Sequence, residues 1–253
     1  MESRIHTMRR FFIEHAKPNG SIFSIAGSDA RHIQKVLRLK EGDTIGLFDG
    51  KGSEYAARIV GFSSGNVKVS VLREFPSTTE SPVQITVAQG FLKEKKMDAL
   101  IRQLTELGIK RWIPFFAERS VPRPDKARLR ARVGRWQKIA KEALKQCGRG
   151  WVTEIVEPCS FEEVLSLRET GDFKIVFWEN EQTPIKALVQ DGGPGIHEVF
   201  VMIGPEGGLS HHEIEQARMQ GFVSAALGPR ILRAETATIA ACSLIQYLFG
   251  DMR

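Results

Sequence analysis

The chain is predicted to be an α/β protein, in which a small β-rich unit leads into a larger domain of alternating strands and helices. Three observations predict it. Residues 1–75 hold short apolar or alternating runs joined by tight turns. Beyond a polar, proline-flanked stretch at 76–82, strand-length apolar runs alternate with amphipathic segments, the pattern of a parallel sheet with helices on its faces. Two apolar runs, 199–203 and 223–227, each end in a Gly-Pro loop that leads into a helix. Domains are therefore expected at 1–75 and 83–253, with 76–82 as linker.

In order, Arg9-Arg10-Phe11-Phe12-Ile13 sets two cations beside an apolar strand. Residues 29–39 have helical spacing, with Ile33, Val36, Leu37 and Leu39 inward and Asp29 placed to cap the first turn. A strand at 44–48, a glycine-rich hairpin turn at 49–52, a returning strand at 54–60 and an alternating strand at 66–72 complete a small barrel or sandwich. In the second domain, 83–88 is an apolar strand. Residues 93–107 form an amphipathic helix with Met97, Leu100, Ile101, Leu104 and Leu107 on one face, stopped by Gly108. A strand at 112–116, a basic helix at 128–146, a strand at 174–178 and a short helix at 184–189 follow. After 199–203, Ser210 stands three residues before Glu213, the capping-box spacing, and Gly221 ends that helix. A small-residue helix, 234–249, closes the pattern.

Composition narrows the function classes. Apolar residues make up 42% and charged residues 26% of 253, an ordinary globular mixture. No apolar segment approaches the roughly 18 residues of a membrane span, and the first twelve residues lack the apolar core of a secretory signal. Three cysteines (Cys147, Cys159, Cys242) without a CxxC pair favour a reducing cytoplasm and argue against structural zinc. The net charge of +6 is uneven: residues 119–149 carry +9 and residues 1–40 carry +5, so the remainder is −8. One basic run is commonly a solvated helix face. Two runs biased alike favour a polyanionic partner such as nucleic acid.

The loop Gly204-Pro205-Glu206-Gly207-Gly208 is neither a Walker loop nor a GxGxxG fingerprint. Alone it reads equally well as an ordinary strand-to-helix turn. With the second loop, 228–232, it can form a backbone-lined pocket for a ligand such as an adenosine. Arg230, Arg233 and Glu235 bracket the last helix. They suit either caps and surface ion pairs, or arginine binding of a phosphate or enolate-like oxygen. The small face made by Ala234, Thr236, Ala237, Thr238, Ala240 and Ala241 permits close packing within the chain or against a second copy. His211-His212 occupy adjacent helix positions that do not face one way, so no metal is expected. Glu118-Arg119-Ser120-Val121 and Gln146-Cys147-Gly148-Arg149 either line one sheet edge or are solvated loops. No GxSxG, HExxH or carboxylate pair gives hydrolysis a foothold.

These residues carry a resemblance. IGPEGGLS with the following Glu213, then LGPRILRAETA, resembles the RsmE family of bacterial methyltransferases, which act on N3 of a uridine in small-subunit (16S) ribosomal RNA and belong to the SPOUT superfamily. RRFFIE, HIQKVLRLKEGDTIGLFDGKGSEYAARI, LTELGIKRWIPFFAERSV and RWQKIAKEALKQCGR extend the resemblance over nearly the whole chain. Lys145 departs from it, where an acidic or neutral residue is expected.

The resemblance implies a PUA-like N-terminal barrel, a SPOUT-type C-terminal domain with a trefoil knot, and a cytoplasmic homodimer with S-adenosylmethionine in the knot. Phe177, Trp178 and Glu179, then Ile203, Gly204, Pro205, Glu206, Gly207 and Gly208, then Leu227, Gly228, Ile231, Leu232 and Thr236 would hold that cofactor. Arg233 and then Arg230 are the expected stabilisers of a uridine anion, and Glu235 the expected proton acceptor. Arg9, Arg10, Arg38, Arg119, Arg123 and Arg149 are expected to grip the backbone of ribosomal RNA, free or within the small subunit. Without the resemblance, the basic segments alone suit a non-catalytic RNA-binding assembly factor, and another RNA base or a ribose remains open as the target.

Overall fold

The computed structural model describes residues 9–13, 22–93, 95–121, 123–167, 171–188 and 195–252. The chain divides into two compact units, Met1–Glu80 with Leu144–Val152, and Ser81–Ala143 with Thr153–Arg253. The division after Glu80 falls within the expected linker. The return of 144–152 to the first unit is visible only in three dimensions.

The first unit is built on one five-stranded sheet in the order β1-β3-β4-β5-β2: β1 Arg10–Phe12, β2 Ile22–Ile25, β3 Thr44–Phe48, β4 Ser53–Ser63 and β5 Asn66–Pro76. β1 pairs with β3 in parallel and the other pairs are antiparallel. Strict alternation turns Val67, Val69 and Val71 inward against Ile25, Ile45, Leu47, Ala57 and Ile59. The helix expected at 29–39 begins earlier, as α1 Gly27–Arg31, and widens into a π turn over His32–Val36. That winding changes which residues face inward. Ile33 is buried, but Val36 is 68% exposed, contrary to the α-helical spacing read from sequence. Asp29 does not cap this helix, since Ala26 occupies the N-cap. Asp29 instead pairs with Lys145 at 3.3 Å, which gives the departing lysine a structural partner.

The second unit contains β6 Gln84–Gly90, α2 Lys96–Glu106, β7 Arg111–Phe116, α3 Lys126–Cys147 (its last turn in the first unit), β8 Glu154–Ile155, β9 Cys159–Ser160, α4 Phe161–Ser166, β10 Phe173–Phe177, α5 Ile185–Leu188, β11 Glu198–Ile203, α6 His211–Met219, β12 Val223–Ala225 and α7 Ala234–Phe249. Its sheet runs β12-β10-β11-β6-β7-β8, with β9 also beside β7, and every pairing is parallel. Because apolar cores lie on both faces of the sheet, β11 is apolar from Val199 to Ile203. Val199, Val201 and Ile203 enter one core, while Phe200 and Met202 enter the other. Strand order reverses direction where β6 meets β11, the place at which such sheets open a crevice at their C-terminal ends. Gly90, the last residue of β6, lies directly under the 204–205 backbone, and a Cβ there would overlap the Pro205 nitrogen.

Candidate active site

The C-terminal ends of β10, β11 and β12 share a cleft of about 480 Å³. Three loops wall it, two of them the Gly-Pro loops read from the sequence and the third the one that the resemblance implies. Phe177 ends β10, and Trp178 and Glu179 follow it. Ile203, Gly204, Pro205, Glu206, Gly207 and Gly208 end β11. Leu227, Gly228, Arg230, Ile231, Leu232 and Arg233 join β12 to α7. Thr236 is not in the wall: Ala234 and Ala237, three positions apart, occupy the cleft side of α7, and the helix turn carries Thr236 to an exposed position. Glu235 meets the cleft through Lys96, a wall residue that the sequence reading missed.

Each loop is pinned by its own polar groups. In 204–208, the Gly208 N–H donates to the Pro205 carbonyl at 2.9 Å, closing a tight turn. The Gln89 amide, fully buried, donates to the Gly204 carbonyl at 3.3 Å and accepts from the Thr238 hydroxyl. The Lys93 N–H donates to Glu206 at 3.1 Å, and Arg119 donates to the Gly207 carbonyl at 3.2 Å. The expected capping box then starts α6: the Glu213 N–H donates to Ser210 Oγ at 3.3 Å, and the Ser210 N–H donates to Glu213 at 2.8 Å. The other oxygen of Glu213 accepts the Glu118 N–H at 2.8 Å, so one buried carboxylate ties two strand-end loops.

The loop after β10 is held in the same way. The Trp178 N–H donates to the Ala225 carbonyl at 3.1 Å and its indole N–H donates to the Leu209 carbonyl at 3.3 Å. Glu181 accepts from Ser224 Oγ, from the Thr183 and Gln182 N–H groups, and from Arg218. The Ser224 hydroxyl first, then those backbone donors, hold its carboxyl down at about 2. In the third loop Gly228 has a φ of 107°, which makes any side chain strained although the space beside it is open.

The cleft's charges are distinctive. Arg230 and Arg233 are exposed, and their side chains make no hydrogen bond or ion pair among the described residues. Arg233 occupies the N-cap of α7 without a side-chain cap, which leaves first-turn N–H groups free of side-chain acceptors. Lys96 reaches Glu206 at 3.2 Å and Glu235 at 3.3 Å. Glu179 lies so close over Gly208 that a Cβ there would overlap its carboxylate. Gln89 left a weak signal in the sequence, as a polar residue closing an apolar strand. Lys96 left none, being one of several lysines in a row.

Of the arginines expected on RNA, Arg9, Arg38, Arg119 and Arg123 are exposed, Arg119 also holding Gly207. Two are not available and need correcting. Arg10 lies 4.6 Å over the Phe48 ring, donates to the Gly148 and Arg149 carbonyls and pairs with Glu54 at 3.2 Å. Arg149 is 4% exposed and pairs with Glu80 at 2.8 Å. Both are committed to the first unit because a buried guanidinium must be paired. His211 and His212 are exposed, and the described residues contain no metal-ligand cluster. No helix of the described residues is long and apolar enough to cross a membrane.

Comparison with known proteins follows this geometry closely. A family profile described as an RNA methyltransferase domain matches residues 79–246, and one described as an RNA methyltransferase PUA domain matches residues 25–72. The ribosomal RNA small subunit methyltransferase E of Bacillus subtilis is 35% identical over 95% of this chain and 96% of its own. That of Aquifex aeolicus is 27% identical over 94% and 99%. The crystal structure of a ribosomal RNA small subunit methyltransferase E from Neisseria gonorrhoeae, bound to S-adenosyl methionine, superposes with a TM-score of 0.85 and 32% identity over 97% of this chain and all of that one. The chain therefore belongs to the RNA methyltransferase family that includes the small-subunit ribosomal RNA methyltransferases E.

Proposed function

We propose that this chain transfers the methyl group of S-adenosylmethionine to N3 of a uridine in small-subunit ribosomal RNA. The observation that carries the proposal is the cleft itself. Three backbone-rich loops at the ends of β10, β11 and β12 converge on it, and two unpaired arginines stand at its edge. The residues fit an adenosine ligand. Phe177, Ile203, Leu227 and Leu232 supply apolar walls, and loop 204–208 and the start of α7 supply main-chain donors and acceptors. When bound, the cofactor supplies a methyl group already activated on a sulfonium.

The chain's own residues do the rest. The loops orient the methyl group toward the cleft opening, and alignment of reacting atoms alone removes a large part of a barrier. Arg233, with Arg230 second, faces the uracil carbonyls. As N3 loses its proton, negative charge spreads to those oxygens, and a guanidinium stabilises it more in the transition state than in the ground state. Glu235 takes the N3 proton. The C–S bond breaks as the N3–C bond forms, leaving S-adenosylhomocysteine. Arg9, Arg38, Arg119 and Arg123 contact RNA phosphates, which position the substrate without reading its sequence.

Two further features belong to the proposal. A knotted threading of the loops around the cleft, as the family resemblance implies, is part of the proposal. The exposed Leu244 and Tyr247 on α7, with Ile231 86% exposed beside the cleft, support a homodimer that completes the site, in the cytoplasm where ribosomal RNA is made. The test is incubation with methyl-labelled S-adenosylmethionine and small subunits from cells lacking the protein. Label should appear in 3-methyluridine after nuclease digestion. Label in another nucleoside, or in none, would overturn the assignment.

A further inference from the structure

Lys96 is the first residue of α2, and its ammonium joins three elements. It lies 3.2 Å from Glu206 in the loop after β11 and 3.3 Å from Glu235 in the first turn of α7. The two carboxylates are thus no farther apart than two hydrogen-bond lengths, on one side of the proposed cofactor cleft. A single exposed ion pair in such a place contributes little. Here one cation separates two anions, and without it one carboxylate would tend to take up a proton.

The charged groups around this cluster are few. Lys95 is the N-cap of α2, Lys93 contributes its backbone N–H to Glu206, Arg119 is bound to Gly207, Glu179 covers Gly208, and Arg230 and Arg233 precede Glu235. Among the described residues, only Lys96 forms an ion pair with Glu206 or Glu235.

We propose that Lys96 is a positioning residue of this enzyme: it holds Glu206 and Glu235 together as a charged clamp that keeps the 204–208 loop and the start of α7, and therefore Arg233, in their places around the cofactor. The clamp rests on the cleft being the cofactor site. Protonation directions agree with it. Burial pushes the Glu206 carboxyl up, but the Lys93 N–H and the Lys96 ammonium outweigh it and leave it below the usual carboxylate range. Desolvation pulls Lys96 down, but its two carboxylate partners raise it overall.

Lys96→Met, Lys96→Gln and Lys96→Arg, with the wild-type protein, are compared by calorimetric titration with S-adenosylhomocysteine from pH 5.5 to 8.5. The wild type and Lys96→Arg should bind with nearly flat pH dependence. Lys96→Met and Lys96→Gln should bind about tenfold more weakly at pH 7.5. They should recover most of that loss at pH 5.5, where one carboxylate is protonated and the repulsion is relieved. Turnover at saturating cofactor should also fall in both neutral variants, because Glu235 and Arg233 shift together. A loss equal at every pH, or no loss, overturns the clamp. Lys96→Gln, which keeps a hydrogen-bond donor without the charge, decides the matter if Lys96→Met does not fold. A wild type that binds no S-adenosylhomocysteine overturns the cleft assignment itself.

Discussion

The arginines of the first unit and those at the cleft have opposite fates. Arg10 and Arg149 are enclosed, each facing a glutamate and, for Arg10, two carbonyls and a ring face. Arg230 and Arg233 are exposed and carry no partner among the described residues. Arg149 and Arg230 each stand within two residues of a glycine, and nothing in their local sequence marks one for enclosure and the other for exposure. The difference lies in what the fold places around each. An enclosed guanidinium needs a counter-charge and becomes structural, whereas one left unpaired at a cleft edge remains free to meet a substrate's charge.

The contrast can be broken most strongly from its structural side. Arg149→Ala should cost about 3–5 kcal/mol, because it leaves Glu80 without its cation in a half-buried site. Denaturant unfolding measures this, and a midpoint unchanged from wild type would remove Arg149 from the structural class. On the other side, Arg233→Ala should lower turnover about 100-fold, some 2.7 kcal/mol, with stability and cofactor affinity close to wild type. Near-normal turnover in a single-turnover assay would refute its role, and a large stability loss would place it with Arg149.

Gly228→Val tests the cleft's backbone. At φ 107° a β-branched residue costs about 1–3 kcal/mol of strain, so cofactor titration should show lost affinity while the unit stays folded. The smallest effect concerns the loop after β10. Glu181, held at about 2 when folded and at 4.5 as its unperturbed value, contributes stability that is fully present above pH 4.5 and is lost as pH falls through 2. Glu181→Gln should therefore cost about 1–2 kcal/mol at pH 7, with the gap to wild type closing in acid. Thermal melts that keep the same gap at pH 2.5 and pH 7 would show that the carboxylate's charge is not what holds the loop.

Much of the site was legible because its signals are local. The capping box at Ser210–Glu213, the two Gly-Pro loops and the continuous apolar run of β11 each follow from residues adjacent in sequence. The parallel order of strands was expected from their alternation with helices, although not which strand lies beside which. Errors came where geometry changes over a turn or two. The π turn at His32–Val36 exposed Val36, and the helical rotation of α7 took Thr236 from the cleft. Lys96 and Gln89 were missed because their partners lie 110 or more positions away.

By itself, the sequence determined the two kinds of unit, most elements of the larger one though not β8, β9 or α4, and the two Gly-Pro loops of the cleft, while the loop after β10 was expected only from the family resemblance. These depend on the periodicity of side chains and on glycine and proline, which act within a few residues. Only the tertiary structure decided that 144–152 joins the first unit, that Gly90 lies against the 204–205 backbone, and which arginines are enclosed and which stand free. Those outcomes depend on burial and on charges brought together across the chain, and no local pattern encodes either.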